Sequence, residues 1–326
     1  MASYERSANP NAAKNDLLRR FITVSIGAPI VLALLIHKTY SLWLIHLAHL
    51  VCTIEWLRLV PTTVKERKSD IPSICYSFPI LSLMIAASSK HAFVIFLISH
   101  GVLTVCKALT SSPQEIAAID HIQHGAIFLS LGFHHLMHIS RLSVLHSIYF
   151  IMIVWNCDTG ALLGGRLGRR LVMTNPGSSD SDLIVSCLGI PDGWVRNLRI
   201  LSPQKTFTGL LSGIALGTIT AVYFPSAMCR FVSFSIECGI LPETSALAPN
   251  ILTFPKFLSQ YSVIMRRVVI GIVISSTGLL GDLVESCIKR RAGKKDAGKL
   301  IPGHGGFMDR MDSSLISGAV YFWYFM

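Results

Sequence analysis

Apolar residues run along this chain in long blocks separated by short polar segments. The blocks cover Phe21–Ile36, Ser41–Leu57, Ile71–Ala87, Ala92–Leu109, Ile122–Ile139, Leu142–Asn156, Thr208–Phe224, Val268–Asp282 and Ser313–Phe325. A helix that crosses a bilayer needs about 20 mostly apolar residues, with about 17 as the lower limit. Several blocks fall short and borrow flanking residues to span. Any one of them alone reads equally well as a buried helix of a soluble domain, but nine in one chain do not. The pattern predicts an all-α fold, a polytopic integral membrane helix bundle of about nine transmembrane helices.

The polar segments divide the chain. Residues 1–20 form a polar N-terminal tail, 21–157 a set of N-terminal transmembrane helices, and 158–326 a C-terminal transmembrane region with loops at 163–205 and 285–312. Arg19 and Arg20 precede the first block, and no convincing cleavage site follows it, so the block reads as an anchor. An organellar transit peptide is the alternative for the Ala-, Ser- and Asn-containing tail. Basic loops stay on the cytoplasmic side. With nine spans and a cytoplasmic N-terminus, both C-terminal loops and the Arg58–Lys68 segment fall on that side. Arg266 and Arg267 fall opposite, and the short patch Phe231–Leu241 reads as interfacial.

Composition agrees with a membrane protein: 51% of the 326 residues are apolar and 14% charged, against about 25% charged in soluble domains. Mean hydropathy is +0.54. Basic residues nevertheless exceed acidic ones by 29 to 18, a net charge of +11. The eight cysteines contain no CxxC pair, which argues against a zinc site or disulfide framework. His134 and His138 share a helical face beside His135, but no carboxylate or cysteine near them completes a metal site, so they read as polar contacts of the bundle. Gly209, Gly213 and Gly217 are spaced for close helix packing.

The segment from Gly281 to Asp312, GDLVESCIKRRAGKKDAGKLIPGHGGFMDRMD, mixes charges that a span edge seldom keeps without use. An ionisable group near the bilayer centre costs about 2.5–3.5 kcal/mol, less at the boundary. Here Asp282 and Glu285 close a span, basic residues follow, and a His-Gly-Gly step leads to Asp309 and Asp312. Magnesium binds through one or two carboxylates together with substrate phosphates. Asp282 and Asp309 are candidates to supply the carboxylates, Lys and Arg to neutralise phosphate oxygens, and Gly303, Gly305 and Gly306 to let backbone approach closely. A polybasic segment attracting anionic lipid explains the charge but not the interspersed Asp, His and Gly.

Residues 286–312 resemble, position by position, the signature of the phosphatidate cytidylyltransferase (CDP-diacylglycerol synthase) family, bacterial type. The matching residues are Ser286, Lys289-Arg290, Lys295-Asp296, Gly298, Ile301-Pro302, His304-Gly305-Gly306, Asp309-Arg310 and Asp312. Three further elements resemble family motifs in the expected order: Glu55-Trp56-Leu57-Arg58-Leu59, Trp155–Ala161 (WNCDTGA) and Ser202–Phe207 (SPQKTF). The chain departs from the pattern at Thr208, where the family commonly has Glu. It also carries an insert at Leu171–Ile200, which reads as a surface loop, and a long stretch at Pro225–Gln260.

The resemblance implies a nucleotidyltransferase that converts CTP and phosphatidate into CDP-diacylglycerol and diphosphate. It implies Mg²⁺, with room for a second cation such as K⁺, and homodimerisation. Both substrates are anions, so charge repulsion is the obstacle that metal and cationic side chains must answer. On this basis Asp282 and Asp309 are expected to hold metal, with Asp296 or Asp312 assisting. Lys205, Lys289, Arg290, Lys295 and Arg310 are expected on phosphates. His304 is expected on phosphate or orienting a neighbour, with a structural role as the alternative. Asp158 is expected near metal or nucleotide, and Ser202 and Thr206 on CTP. The site would face the cytoplasm or stroma. Endoplasmic reticulum, plastid and bacterial plasma membrane all fit, and no nucleic-acid partner is expected. The competing readings are a CTP-dependent enzyme acting on another lipid phosphate, and a transporter or inactive scaffold.

Overall fold

A computed structural model of the chain describes residues 25–35, 38–61, 75, 77–87, 91–110, 112–142, 144–173, 202, 205–237, 261–298, 300–301 and 305–325. Helix α1 covers Ser25–Leu35. It is followed by α2 (Lys38–Arg58), α3 (Phe78–Ala87), α4 (Ala92–Leu109) and α5 (Pro113–Gly125). A π-helical turn at Ala126–Ser130 leads into α6 (Leu131–Leu142), and α7 (Val144–Met173), α8 (Phe207–Glu237), α9 (Val263–Arg291) and α10 (Met308–Phe325) complete the series. Among the described residues the only β feature is an antiparallel bridge between Ile301 and Gly305.

Six helical stretches are long and apolar enough to cross a membrane: Thr39–Arg58, Ala92–Leu109, Pro113–Arg141, Leu145–Gly168, Phe207–Arg230 and Val263–Arg291. The fold is therefore that of a multi-pass helical membrane protein, and six is the number of such helices among the described residues where about nine were expected. The first block shows only the shorter α1, and the third only the ten-residue α3. The last lies in α10, which is 18 residues long but begins with Asp309, Arg310 and Asp312. The patch Phe231–Leu241 lies beyond the candidate span Phe207–Arg230, and its residues after Glu237 lie outside the described residues. Residues up to Glu237 continue α8, which runs through Pro225 as one 31-residue helix. The division expected after residue 157 falls inside α7. The tail 1–20 and the insert from 174 onward lie outside the described residues.

Large apolar side chains point outward along these helices. Trp43, Phe93, Ile98, Val105, Tyr223 and Trp323 are among the exposed ones, and in α4 only Ala92 is buried. In water such a surface would be costly, whereas hydrocarbon accepts it. The interior is built around Trp56, Phe78, Phe133, Tyr149 and Tyr321, each fully buried. Several polar side chains within it are hydrogen-bonded to one another or to backbone, which offsets the cost of burying them. Ser130 Oγ donates to Ser82 Oγ at 2.9 Å, which bonds His49 Nε2 at 2.7 Å, and Tyr149 donates to the Ala221 carbonyl at 2.9 Å.

The C-terminal half is a packed set, with α8 between α7 and α9, and α9 against α10. The Gly209–Gly217 series lets α8 come this close. A Cβ at Gly213 would lie 2.9 Å from the Cys157 carbonyl oxygen of α7, and one at Gly217 would lie 2.0 Å from Ser275 Oγ of α9. At about 1.5 Å per residue, the 29-residue α9 is about 44 Å long, against an apolar core of about 30 Å. Its last two to three turns, Asp282 to Arg291, therefore carry charge beyond the apolar window. Replacing Gly213 by Leu forces α7 and α8 apart and is expected to cost about 1–3 kcal/mol, read as a lowered unfolding midpoint of the purified protein in detergent.

Candidate active site

The charged end of α9 meets the start of α10 and the segment before it. Glycine permits the approach: a Cβ at Gly281 would lie 2.4 Å from the Asp312 carbonyl oxygen. Helical spacing then arranges the acids. Asp282, Glu285 and Lys289 lie three and four residues apart on one face of α9, and Asp309 and Asp312 lie three apart on α10. Asp282, Glu285 and Asp312 each offer a carboxylate oxygen, and these three atoms lie within 4.8 Å of one another. Glu285 and Asp312 are buried and Asp282 is half-buried.

Lys289 is the hub. Its Nζ lies 2.5 Å from Glu285 Oε2 and 2.6 Å from Asp309 Oδ1. The Glu285 side chain is 0% exposed and the Lys289 side chain 11%, so the pair is desolvated and depends on its partners. Asp309 is engaged on every side. Its Oδ2 accepts from the amides of Gly306 at 2.7 Å and Ala297 at 3.1 Å, while Oδ1 takes Lys289. Gly305, at φ +83°, supplies the left-handed backbone that turns the chain into this arrangement. The Glu285 Oε1 atom is buried with no hydrogen-bond donor among the described residues.

A second lysine enters from the start of α8. Lys205 Nζ lies 2.8 Å from Asp282 Oδ2. Beside it Thr206 Oγ1 accepts from the Gly209 amide at 3.1 Å, the i to i+3 bond of a helix N-cap. The Lys205 amide donates to the Ser202 carbonyl at 3.1 Å. Thr206 and Ser202 thus hold Lys205 at the mouth of α8. Asp158, from α7, is joined to the group through Ser313, whose hydroxyl donates to its carboxylate at 3.3 Å, while Asp312 Oδ1 accepts from the Ser313 amide at 2.8 Å.

The structure therefore brings together Asp158, Lys205, Asp282, Lys289, Asp309 and Asp312 from four helices. Arg290, Lys295, Asp296 and Arg310 lie on the exposed rim of the same region, and His304 lies outside the described residues. The carboxylates nearest Asp282 are those of Glu285 and Asp312, and Asp309 is held by Lys289 and two amides. Sequence reasoning leaves Glu285 without a role, although its position four residues before Lys289 is the signature of a helical ion pair.

Three carboxylates this close repel one another, and Lys205 on Asp282 and Lys289 on Glu285 offset part of that repulsion; a shared proton or a bound cation would offset the rest. The hard oxygen donors and the unsatisfied Glu285 oxygen suit Mg²⁺, so the residues present fit the ion that the resemblance implies. The lysines and rim arginines suit phosphate oxygens.

A sequence model described as "Cytidylyltransferase family" matches residues 18–177 and 187–326. The chain belongs to the cytidylyltransferase family. It is 32% identical over 187 residues to a phosphatidate cytidylyltransferase of Staphylococcus saprophyticus, covering 57% of this chain and 51% of that protein. It is 30% identical over 187 residues to the protein of the same name in Staphylococcus haemolyticus, with the same coverage. To that of Staphylococcus aureus it is 31% identical over 175 residues, 53% of this chain and 46% of that protein. The chain spans about half the length of the curated relatives it matches.

Removing the hub leaves two buried carboxylates facing each other. Lys289→Met is expected to cost about 3–5 kcal/mol of stability, measured by denaturant unfolding in detergent. The half-exposed Lys107–Asp120 pair, 2.6 Å apart on α4 and α5, provides the contrast. Lys107→Met should cost under about 1 kcal/mol.

Proposed function

We propose that this protein is a phosphatidate cytidylyltransferase, which joins CTP and phosphatidate to give CDP-diacylglycerol and diphosphate on the cytoplasmic side of a membrane. The observation that carries the proposal is the assembly of the family signature into one site at the end of a membrane helix. There, buried carboxylates and lysines stand at the level where a lipid phosphate meets water. Its relatives bear the same name, and the family match extends over nearly the whole chain.

In the reaction, a phosphate oxygen of phosphatidate attacks the α-phosphorus of CTP. The new P–O bond forms as the α–β phosphoanhydride breaks, and diphosphate leaves with the electron pair. Phosphatidate is already anionic near neutral pH, so no strong general base is needed. The obstacle is bringing two polyanions together. Asp282, with Asp312 and Glu285 in reach, would hold Mg²⁺, which when bound acts as a Lewis acid on the phosphoryl oxygens.

The lysines have carboxylate partners that a phosphate can replace. Triphosphate oxygens would compete with Asp282 for Lys205 and with Asp309 for Lys289, and a carboxylate released in this way would be a further candidate to hold the ion. Asp309, expected from the sequence as a metal ligand, would become available in this way. Arg290, Lys295 and Arg310 on the rim lead the anions in. Asp158 borders the site through Ser313, and Ser202 and Thr206 act by orienting Lys205.

The second reading, a relative acting on another lipid phosphate, predicts the same site with a different acceptor. Purified protein in detergent with labelled CTP and a panel of lipid phosphates separates them. Phosphatidate should be the acceptor, and a polyprenyl phosphate should accept no label; the reverse contradicts the proposal. Asp282→Asn should lower turnover about a thousandfold, since a metal's charge stabilisation is worth several kcal/mol. Its unfolding midpoint should stay close to that of the parent.

A further inference from the structure

We propose that Glu55, on α2 in the N-terminal half, is a positioning residue for the active site, holding the start of α10 and with it Asp309 and Lys289. Its carboxylate reaches a segment some 250 positions away in the chain. Oε1 accepts from the Phe307 amide at 3.0 Å and Oε2 from the Met308 amide at 2.8 Å. The first amides of a helix have no partner within it. At α10 they are taken by a carboxylate from another helix, a negative charge placed at the positive end of the helix dipole.

The segment around Glu55 is shaped to this contact. A Cβ at Gly298 would lie 2.1 Å from Glu55 Oε1, and one at Gly306 would lie 2.8 Å from both carboxylate oxygens. Two glycines of the signature therefore leave room for a side chain from α2. A second tie runs the other way, with Lys294 Nζ donating to the Arg58 carbonyl at 2.6 Å at the end of α2. Lys294 and the turn at Phe307 and Met308 are thus both fastened to the last turn of α2.

The platform is rigid. Trp56, next to Glu55, is fully buried. Its Nε1 donates to the His121 carbonyl at 3.3 Å, and His121 Nε2 bonds the Trp56 carbonyl at 3.1 Å, with the two rings stacked 4.8 Å apart. Glu55 is itself 3% exposed. A buried carboxylate that uses both oxygens on two adjacent amides fixes the position and direction of that turn. Gly306 and Asp309 lie on either side of those amides. The Gly306 amide donates to Asp309, and Asp309 holds Lys289. Glu55 therefore acts on the charged groups without touching them.

The catalytic consequence rests on the function proposed above; the structural consequence does not. The test uses the full chain in detergent and two readouts, amide hydrogen exchange and steady-state kinetics. In Glu55→Ala, exchange of the Phe307 and Met308 amides should rise about tenfold, the scale of losing a charge-assisted hydrogen bond, while peptides from α7 and α8 keep their parental rates. Turnover should fall about tenfold or more, with the KM for CTP changed less than about threefold, because orientation rather than a nucleotide contact is lost. Glu55→Gln keeps an acceptor oxygen and should lie between parent and Ala in both readouts. Gly298→Ala, which pushes the carboxylate aside, should reproduce the Ala signature with Glu55 still present.

Parental exchange at residues 307–308 in Glu55→Ala overturns the proposal. So does parental turnover, or a rise in exchange spread equally through α7 and α8. If Glu55→Ala does not fold, Glu55→Gln and Gly298→Ala decide by the same criteria. If the parent protein shows no CTP turnover, the functional reading fails while the exchange contrast still decides whether Glu55 holds this turn.

Discussion

A buried ammonium between two carboxylates governs how the C-terminal half is put together. Lys289 lies at hydrogen-bonding distance from Glu285 of its own helix and from Asp309 of the next. In a desolvated setting an unpaired charge of either sign is far more costly than a lost contact. The two carboxylates and the lysine must therefore come together, and they do so only if α9 and α10 approach at Gly281 and the intervening segment folds back. The Ala297 and Gly306 amides complete the shell of Asp309.

The membrane helices make this arrangement possible by carrying charge at a defined depth. α9 is longer than an apolar core of about 30 Å, which leaves length for its charged end to lie outside the hydrocarbon. The close packing of α7, α8 and α9 through small residues brings Asp158 and Lys205 to the same level. On the proposed function, a lipid phosphate would sit at this boundary and a soluble triphosphate would reach it from the water side. The excess of basic residues is concentrated accordingly: thirteen of the 29 fall in segments 163–205 and 285–312.

Much of this was legible in the residues. Helical character and membrane residence followed from the apolar blocks, and the charged cluster from the 281–312 segment. The span count was less legible. Block length alone does not say that residues up to Glu237 would extend α8 past Pro225, or that α3 would be ten residues long among the described residues. Within the site, residue types outran their arrangement. Thr206, expected on nucleotide, also caps α8, and Glu285 has a helical spacing that points to Lys289 but no role in the sequence reading. Glu55 stood within a motif, yet its target is some 250 residues distant. No local periodicity encodes a contact of that range; only the packing of α2 against the loop reveals it.

On the proposed function, CTP and metal meet between the charged end of α9 and the start of α10. The most direct measurement is a crystal or cryo-electron microscopy structure of the protein with Mn²⁺ and a non-hydrolysable CTP analogue, the metal located by its anomalous signal or density. The ion is expected in direct contact with Asp282 and at least one other carboxylate of the group, with the triphosphate against Lys205 and Lys289. A nucleotide and ion bound elsewhere, with Lys205 and Lys289 still on their carboxylates, would contradict it.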